Sequence, residues 1–288
     1  MIAAQFDYVR ANTLDEALTL LAQNEDAKIL AGGHSLIPAM KLRLAQPPLL
    51  IDLGRIKDLS YIRQEDGQIR IGAMTTHYEI ESSAVLKEIC PLLPECAGHI
   101  GDVQVRNKGT IGGSLAHSDP AGDWPAAIIA LNAEMIATSK NGDRTIKAND
   151  FFVDLLTTAL EPGEILREIR IHKPQGRSGQ AYMKMHHPAS GFAVVGVAVN
   201  LALDGDVCVS ASIGITGVSS KAYRPGAVES ALTGAKLDEQ TIASACAHAA
   251  DGVEANGDLF ASADYRKHLA EVYTKRAIAA AMKSVPPA

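Results

Sequence analysis

Four cysteines, one tryptophan and an aromatic share of only 5% are spread over 288 residues, and each scarcity closes off a class of function. Cys90, Cys96, Cys208 and Cys246 include no C-x-x-C pair, so they read as reduced, buried thiols and not as a metal or cluster site. The chain is therefore expected to hold no iron–sulfur or haem group of its own. No Lys/Arg block stands out, and the net charge of -6 gives no reason to expect nucleic acid or an anionic membrane surface. No apolar run approaches the ~20 residues that cross a bilayer. The start, Met1-Ile2-Ala3-Ala4-Gln5-Phe6-Asp7, lacks the basic and long apolar segments of a secretory signal, so a cytoplasmic location is expected. The fingerprints G-x-G-x-x-G, G-x-x-x-x-G-K and G-x-S-x-G are all missing, which removes the commonest dinucleotide, P-loop and serine-hydrolase readings.

What is present is an ordinary globular composition, 47% hydrophobic and 21% charged, long enough for two or three packed domains. Thr13-Leu14-Asp15-Glu16 has the spacing of a capping box, and Leu14, Ala17, Leu18 and Leu21 recur at helical spacing behind it. A short strand over Lys28–Leu30 then enters Gly32-Gly33, with a helix expected over Leu36–Leu44 and a strand over Leu49–Leu53. A hairpin is expected over Ile62–Ala73, turning at Asp66-Gly67. A helical stretch from Thr76 to His99 should break at Pro91 and Pro94. Further on come a helix near Pro125–Leu131 and strands near Met135–Thr138 and Ile165–Ile171. Lys173–Gly179 is the linker candidate. Past it, strands over Ala193–Leu203 and Cys208–Thr216 turn at Asp204-Gly205-Asp206, and helices follow over Asp238–Gly252 and Ala263–Lys283.

Two segments carry chemistry. Ala31-Gly32-Gly33-His34-Ser35 follows a strand and opens a helix; its glycines permit close approach and positive φ, and free N–H groups at the helix start suit an anionic oxygen. Taken alone, it reads equally as a structural strand-to-helix turn. Thr110-Ile111-Gly112-Gly113-Ser114 repeats nearly the same chemistry, with Asp119, Pro120, Gly122, Asp123 and Trp124 behind it. Two such loops in separate domains point to a phosphate-bearing ligand gripped between them. The histidines His34, His77, His99 and His117 are dispersed, and adjacent His186-His187 would face opposite sides of a strand, so only His34 is expected near the ligand. Trp124 reads as packing.

These residues resemble a known family. The match includes Phe6-Asp7-Tyr8, Leu30 through Pro38, Ile71-Gly72-Ala73-Met74-Thr75-Thr76, Gln104 through Gly113, Asp119-Pro120, Asp123, Glu161-Pro162-Gly163-Glu164 and Tyr265-Arg266. The chain is similar, essentially end to end, to the FAD-binding medium subunit of the molybdenum hydroxylases (the xanthine dehydrogenase and aerobic carbon monoxide dehydrogenase family), and most of all to that of carbon monoxide dehydrogenases. The resemblance implies an α+β chain: a two-part FAD-binding fold, with an N-terminal α/β domain (1–54) and a middle α/β domain (55–174), then a C-terminal antiparallel sheet with helices (175–288). It implies that Ala31, Gly32, Gly33, His34 and Ser35, with Thr110, Ile111, Gly112, Gly113 and Ser114, hold the FAD pyrophosphate. Thr76 and Asp123 would fix the ribityl–phosphate region, Leu166 would pack near the flavin or adenine, and Lys184 would lie near the isoalloxazine. It implies no catalytic residue and no metal in this chain. Molybdenum cofactor and two-iron two-sulfur clusters are expected in a large and a small partner subunit, in a dimer of heterotrimers. Departures are Ser114 where relatives commonly have Asn, Phe192 where they often have Tyr, and the stretch His186–Gly191. A self-sufficient FAD oxidase, a hydroxylase of aldehydes or N-heterocycles, and a nucleotide-binding assembly module are the alternatives.

Overall fold

The computed structural model describes residues 2–173 and 176–285. Pro174 and Gln175, within the expected linker, lie outside the described residues. The chain opens with β1 (Asp7–Arg10), α1 (Leu14–Gln23), β2 (Lys28–Leu30), α2 (Leu36–Lys41) and β3 (Leu49–Asp52). The three strands make a parallel sheet of order β1-β3-β2, the topology that helical crossovers require. At α1 the Thr13 hydroxyl accepts from the Glu16 N–H, but the Glu16 carboxylate reaches back one residue further than a capping box demands and accepts from the Asn12 N–H at 2.8 Å. α2 stops at Lys41, short of the expected Leu44. Arg43 turns left-handed (φ 59) and the Leu44 N–H closes onto the Ala39 carbonyl, a termination more often built on glycine.

The middle segment begins with the expected hairpin, β4 (Ile62–Glu65) and β5 (Gln68–Gly72), whose turn residues Asp66 and Gly67 both have positive φ. The helical stretch after it is three helices: α3 (His77–Ser82), α4 (Ala84–Ile89) and α5 (Leu92–Gly98). The breaks fall at Ser83, which caps α4 through its hydroxyl, and at Cys90-Pro91. Pro94 does not interrupt; it sits in the first turn of α5, where the N–H it lacks has no intrahelical acceptor. α6 (Val103–Arg106), α7 (Ile111–His117) and α8 (Trp124–Ala130) follow. Next come β6 (Glu134–Ser139), β7 (Gly142–Lys147), α9 (Ala148–Phe151), the small pair β8 (Phe152–Asp154) and β9 (Thr157–Thr158), and β10 (Ile165–His172). The five-stranded sheet, ordered β4-β5-β10-β6-β7, is antiparallel throughout.

The last part is an antiparallel sheet of β11 (Ser178–His186), β12 (Ala193–Asp204) and β13 (Val207–Thr216), followed by α10 (Gly226–Leu232), α11 (Glu239–Cys246) and α12 (Ala263–Ser284). α11 is shorter than the expected 238–252, its continuation breaking into turns. The largest buried cluster joins the five-stranded sheet, α5, α7 and α8 to Tyr182 of β11 and Ala198 of β12, so the middle sheet and the last sheet share one apolar contact layer. Among the described residues no helix is long and apolar enough to cross a membrane.

Candidate cofactor site

The two glycine segments meet. A Cβ built on Gly32 would lie 2.3 Å from the Lys108 carbonyl oxygen and 2.7 Å from the Gly109 Cα, and one built on Gly113 would lie 3.2 Å from the Ala31 Cβ. The first segment is a turn between β2 and α2 in which Gly33 takes φ 77. The backbone N–H groups of Gly32, Gly33, His34 and Ser35 find no hydrogen-bond acceptor among the described residues, and Ser35, the residue before α2, uses its hydroxyl for no cap. Consecutive unpartnered N–H groups at a left-handed turn form a concave donor surface suited to anionic oxygens.

The second segment has different chemistry from the first, contrary to their similar sequences. It is the N-terminal turn of α7, and four of its five backbone donors are already used. The Ile111 N–H donates to the Thr75 carbonyl (3.0 Å), Gly112 to the Ala73 carbonyl (2.8 Å), Gly113 to the Thr110 hydroxyl (3.1 Å) and Ser114 to the Thr110 carbonyl (3.0 Å). Its glycines serve packing: a Cβ on Gly112 would sit 2.4 Å from that of Ala73. What this segment can still offer a ligand is the hydroxyl of Ser114 and, from Thr110, the backbone N–H and the hydroxyl proton. Thr76 joins Thr110 through a short antiparallel bridge and caps α3 in a complete capping box with Glu79. That box, Thr76-His77-Tyr78-Glu79, obeys the same spacing rule as Thr13–Glu16 and was legible in the sequence.

Asp123 and Lys184 are brought together, away from solvent. The Lys184 side chain is fully buried, with Nζ 2.9 Å from Asp123 and donating to the His99 carbonyl at 3.0 Å, while the Tyr182 hydroxyl donates to Asp123 at 2.5 Å. Burial raises the Asp123 pKa against the pull of Lys184. The ammonium expected beside the isoalloxazine is thus engaged inside the protein. The Asp119–Asp123 loop is fixed from the last sheet: the Ala193 N–H donates to the Ala121 carbonyl, and the Gly217 N–H and Thr216 hydroxyl to that of Pro120. Arg266 of α12 in turn grips the carbonyls of Val194 and Gly217, each at 2.6 Å. Leu166 is buried on β10 opposite Ala137, one residue before Arg167, whose carbonyl accepts from the Ala73 N–H against which Gly112 packs. His34 and Phe192 are exposed.

Sequence spacing missed one pairing. His99 Nδ1 lies 3.2 Å from His186 Nε2, although the residues are 87 positions apart. Burial, the neighbouring imidazole and Lys184 lower the His99 pKa, and burial followed by Lys184 lowers that of His186. His77, one of the dispersed histidines, lies in the interior: it is 4% exposed, its Nδ1 accepts from Trp124 Nε1 at 3.0 Å, and burial takes its pKa from 6.5 to about 4. A histidine whose folded pKa is depressed binds fewer protons folded than unfolded, so its stability contribution is complete above the unfolded pKa and is lost as pH falls towards the folded one. For His77 the loss spans pH 6.5 to about 4 and amounts to about 3 kcal/mol. Urea titrations across that range should show stability falling with acid, and His77→Gln should flatten the fall.

Residues 4–174 match the family described as the FAD binding domain in molybdopterin dehydrogenase, and residues 180–281 match the CO dehydrogenase flavoprotein C-terminal domain. The carbon monoxide dehydrogenase medium chain of Hydrogenophaga pseudoflava is 40% identical over 282 residues, covering 98% of each chain. The glyceraldehyde dehydrogenase medium chain of Sulfolobus acidocaldarius is 35% identical over 277 residues, covering 96% of this chain and 98% of the other. A chain in the solved structure of the H. pseudoflava carbon monoxide dehydrogenase that lacks the Mo-pyranopterin moiety of its molybdenum cofactor superposes with a TM-score of 0.97. It shows 40% identity and covers 99% of this chain and 100% of that one.

Proposed function

The chain belongs to the family of FAD-binding medium subunits of carbon monoxide dehydrogenase and related molybdenum hydroxylases, and from that premise we propose that it is an electron relay within a larger oxidoreductase. The carrying observation is the run of unpartnered N–H groups from Gly32 to Ser35 where the two glycine segments cross. These donors suit a pyrophosphate, with Ala31 and Gly113 walling the crossing and the hydroxyls of Ser35, Thr76, Thr110 and Ser114 around it. His34, Ile111 and Gly112 complete the two segments, and Leu166, Asp123 and Lys184 are buried in the protein interior. Bound there, FAD supplies an isoalloxazine that takes up and releases electrons, while the protein positions it and tunes its potential.

In this reading a large partner subunit with molybdenum cofactor oxidises the substrate. A small partner with two-iron two-sulfur clusters delivers the electrons to this chain, which passes them to an external acceptor. The same division of labour would place two copies of each subunit in a dimer of heterotrimers. Two observations support it. All four cysteines are buried single thiols, and among the described residues no three potential metal ligands converge. Medium chains of two relatives named for different substrates, carbon monoxide and glyceraldehyde, resemble this chain at 40% and 35% identity over nearly its full length, so the substrate is chosen elsewhere. Purified chain mixed with FAD should retain stoichiometric flavin through gel filtration and show its visible bands. A colourless protein after reconstitution would overturn the reading.

A further inference from the structure

An indole N–H can only donate, so the Trp124 Nε1–H at 3.0 Å requires His77 Nδ1 to be an acceptor. The ring is therefore neutral, with its one proton on Nε2, as its burial also demands. That Nε2–H has no acceptor among the described residues. The residue is only 4% exposed, so the unpartnered Nε2–H is a buried donor that the protein itself leaves unsatisfied.

The Nε2 edge of the ring lies against a glycine. A Cβ on Gly109 would lie 2.7 Å from His77 Nε2, and Gly109 is the residue whose Cα packs against Gly32, where the run of free N–H groups begins. The His77 backbone N–H also donates to the Gly109 carbonyl at 3.0 Å, and His34 is near enough to act on the His77 charge. A donor fixed in one tautomer by a buried tryptophan, left unpaired beside the crossing of the two glycine segments, matches a ligand that presents only acceptors.

We propose that His77 is a further contact of the cofactor site, its neutral Nε2–H donating to a pyrophosphate oxygen of bound FAD. This rests on the FAD reading above. Trp124 is then a positioning residue, holding the tautomer through Nδ1. The arrangement adds a hydrogen bond without adding charge, so the donor stays the same throughout the neutral pH range.

The test uses the full chain, freed of flavin and labelled with 15N, and follows the ring nitrogens of His77 on adding inorganic pyrophosphate and then FAD. The Nε2–H tautomer should be present from the start, and its proton should move downfield with each ligand. His77→Phe should weaken FAD binding about tenfold by fluorescence titration, and His77→Gln, which keeps an N–H near Nε2, should recover most of it. An Nε2 signal unmoved in FAD-saturated wild-type chain overturns the proposal while leaving the FAD reading intact. So does a folded His77→Phe chain with unchanged affinity. A wild-type chain that binds no FAD overturns both. If His77→Phe fails to fold, the wild-type spectrum decides.

Discussion

Replacing Gly32 by alanine should lower FAD affinity by at least roughly a hundredfold, about 2.7 kcal/mol, while leaving most of the fold in place. The new methyl would meet the Lys108 carbonyl oxygen at 2.3 Å and the Gly109 Cα at 2.7 Å, and both are backbone atoms that no rotamer change can move aside. Relief comes only by parting the two segments, at an overpacking cost of typically about 1–3 kcal/mol in the free protein. The parted geometry also separates the free N–H run of Gly32–Ser35 from the Thr110 and Ser114 hydroxyls, so the ligand loses donors that must act together. Flavin retention after gel filtration and a fluorescence titration measure this directly. Gly33 faces a milder constraint, since a Cβ there would touch only side-chain atoms of Ile37 and Leu30 at 3.2 and 3.3 Å, although its φ of 77 still disfavours other residues. Tight binding by the Gly32→Ala chain would show that the crossing is not part of the site.

Lys184→Met should destabilise the chain by about 3–5 kcal/mol, because it leaves the Asp123 carboxylate buried without its counter-charge. For a chain of this size that is a fall in Tm of roughly 10 °C. The loss should fall on the contact layer between the middle and last sheets, since Asp123 leads into α8 and Lys184 stands on β11. Asp123→Asn in the same chain should restore part of the stability, because an amide in place of the carboxylate no longer needs the ammonium, while the double-mutant coupling isolates the pair. Tyr182 sharpens the expectation: its hydroxyl already donates to Asp123, so one lone pair stays satisfied in every variant. A Tm within a degree or so of wild type for Lys184→Met would mean that the ammonium, and not the carboxylate, is the costly member of the pair.

Local rules reached the elements and the segments that carry chemistry. Lys28–Leu30 was legible as a short apolar run entering glycines, the β4–β5 turn as Asp66-Gly67, and the two glycine segments as a pair because their residue types repeat. The family, and with it the fold class and FAD, were legible from motifs spread along the whole chain. What did not show was what each backbone donor is bonded to. Thr110–Ser114 resembles Ala31–Ser35 in sequence, but the carbonyls of Ala73 and Thr75, 39 and 36 residues before the Gly112 and Ile111 donors they serve, occupy two of its N–H groups. Asp123 with Lys184, separated by 61 positions, and His99 with His186, separated by 87, meet only through tertiary folding. Pro94 was misread because a proline breaks a helix by position: in the first turn it is tolerated, further in it is not.

The central claim, that this chain relays electrons through FAD and leaves substrate oxidation to its partners, is tested most directly by anaerobic bleaching of the flavin. The FAD-loaded chain is mixed with carbon monoxide, aldehydes or N-heterocycles, first alone and then with the iron–sulfur and molybdenum subunits proposed as its partners. The account predicts that the yellow bands persist for the chain alone and bleach only in the assembled complex. Bleaching of the isolated chain by any of these substrates would contradict it and make the protein a self-sufficient flavin dehydrogenase.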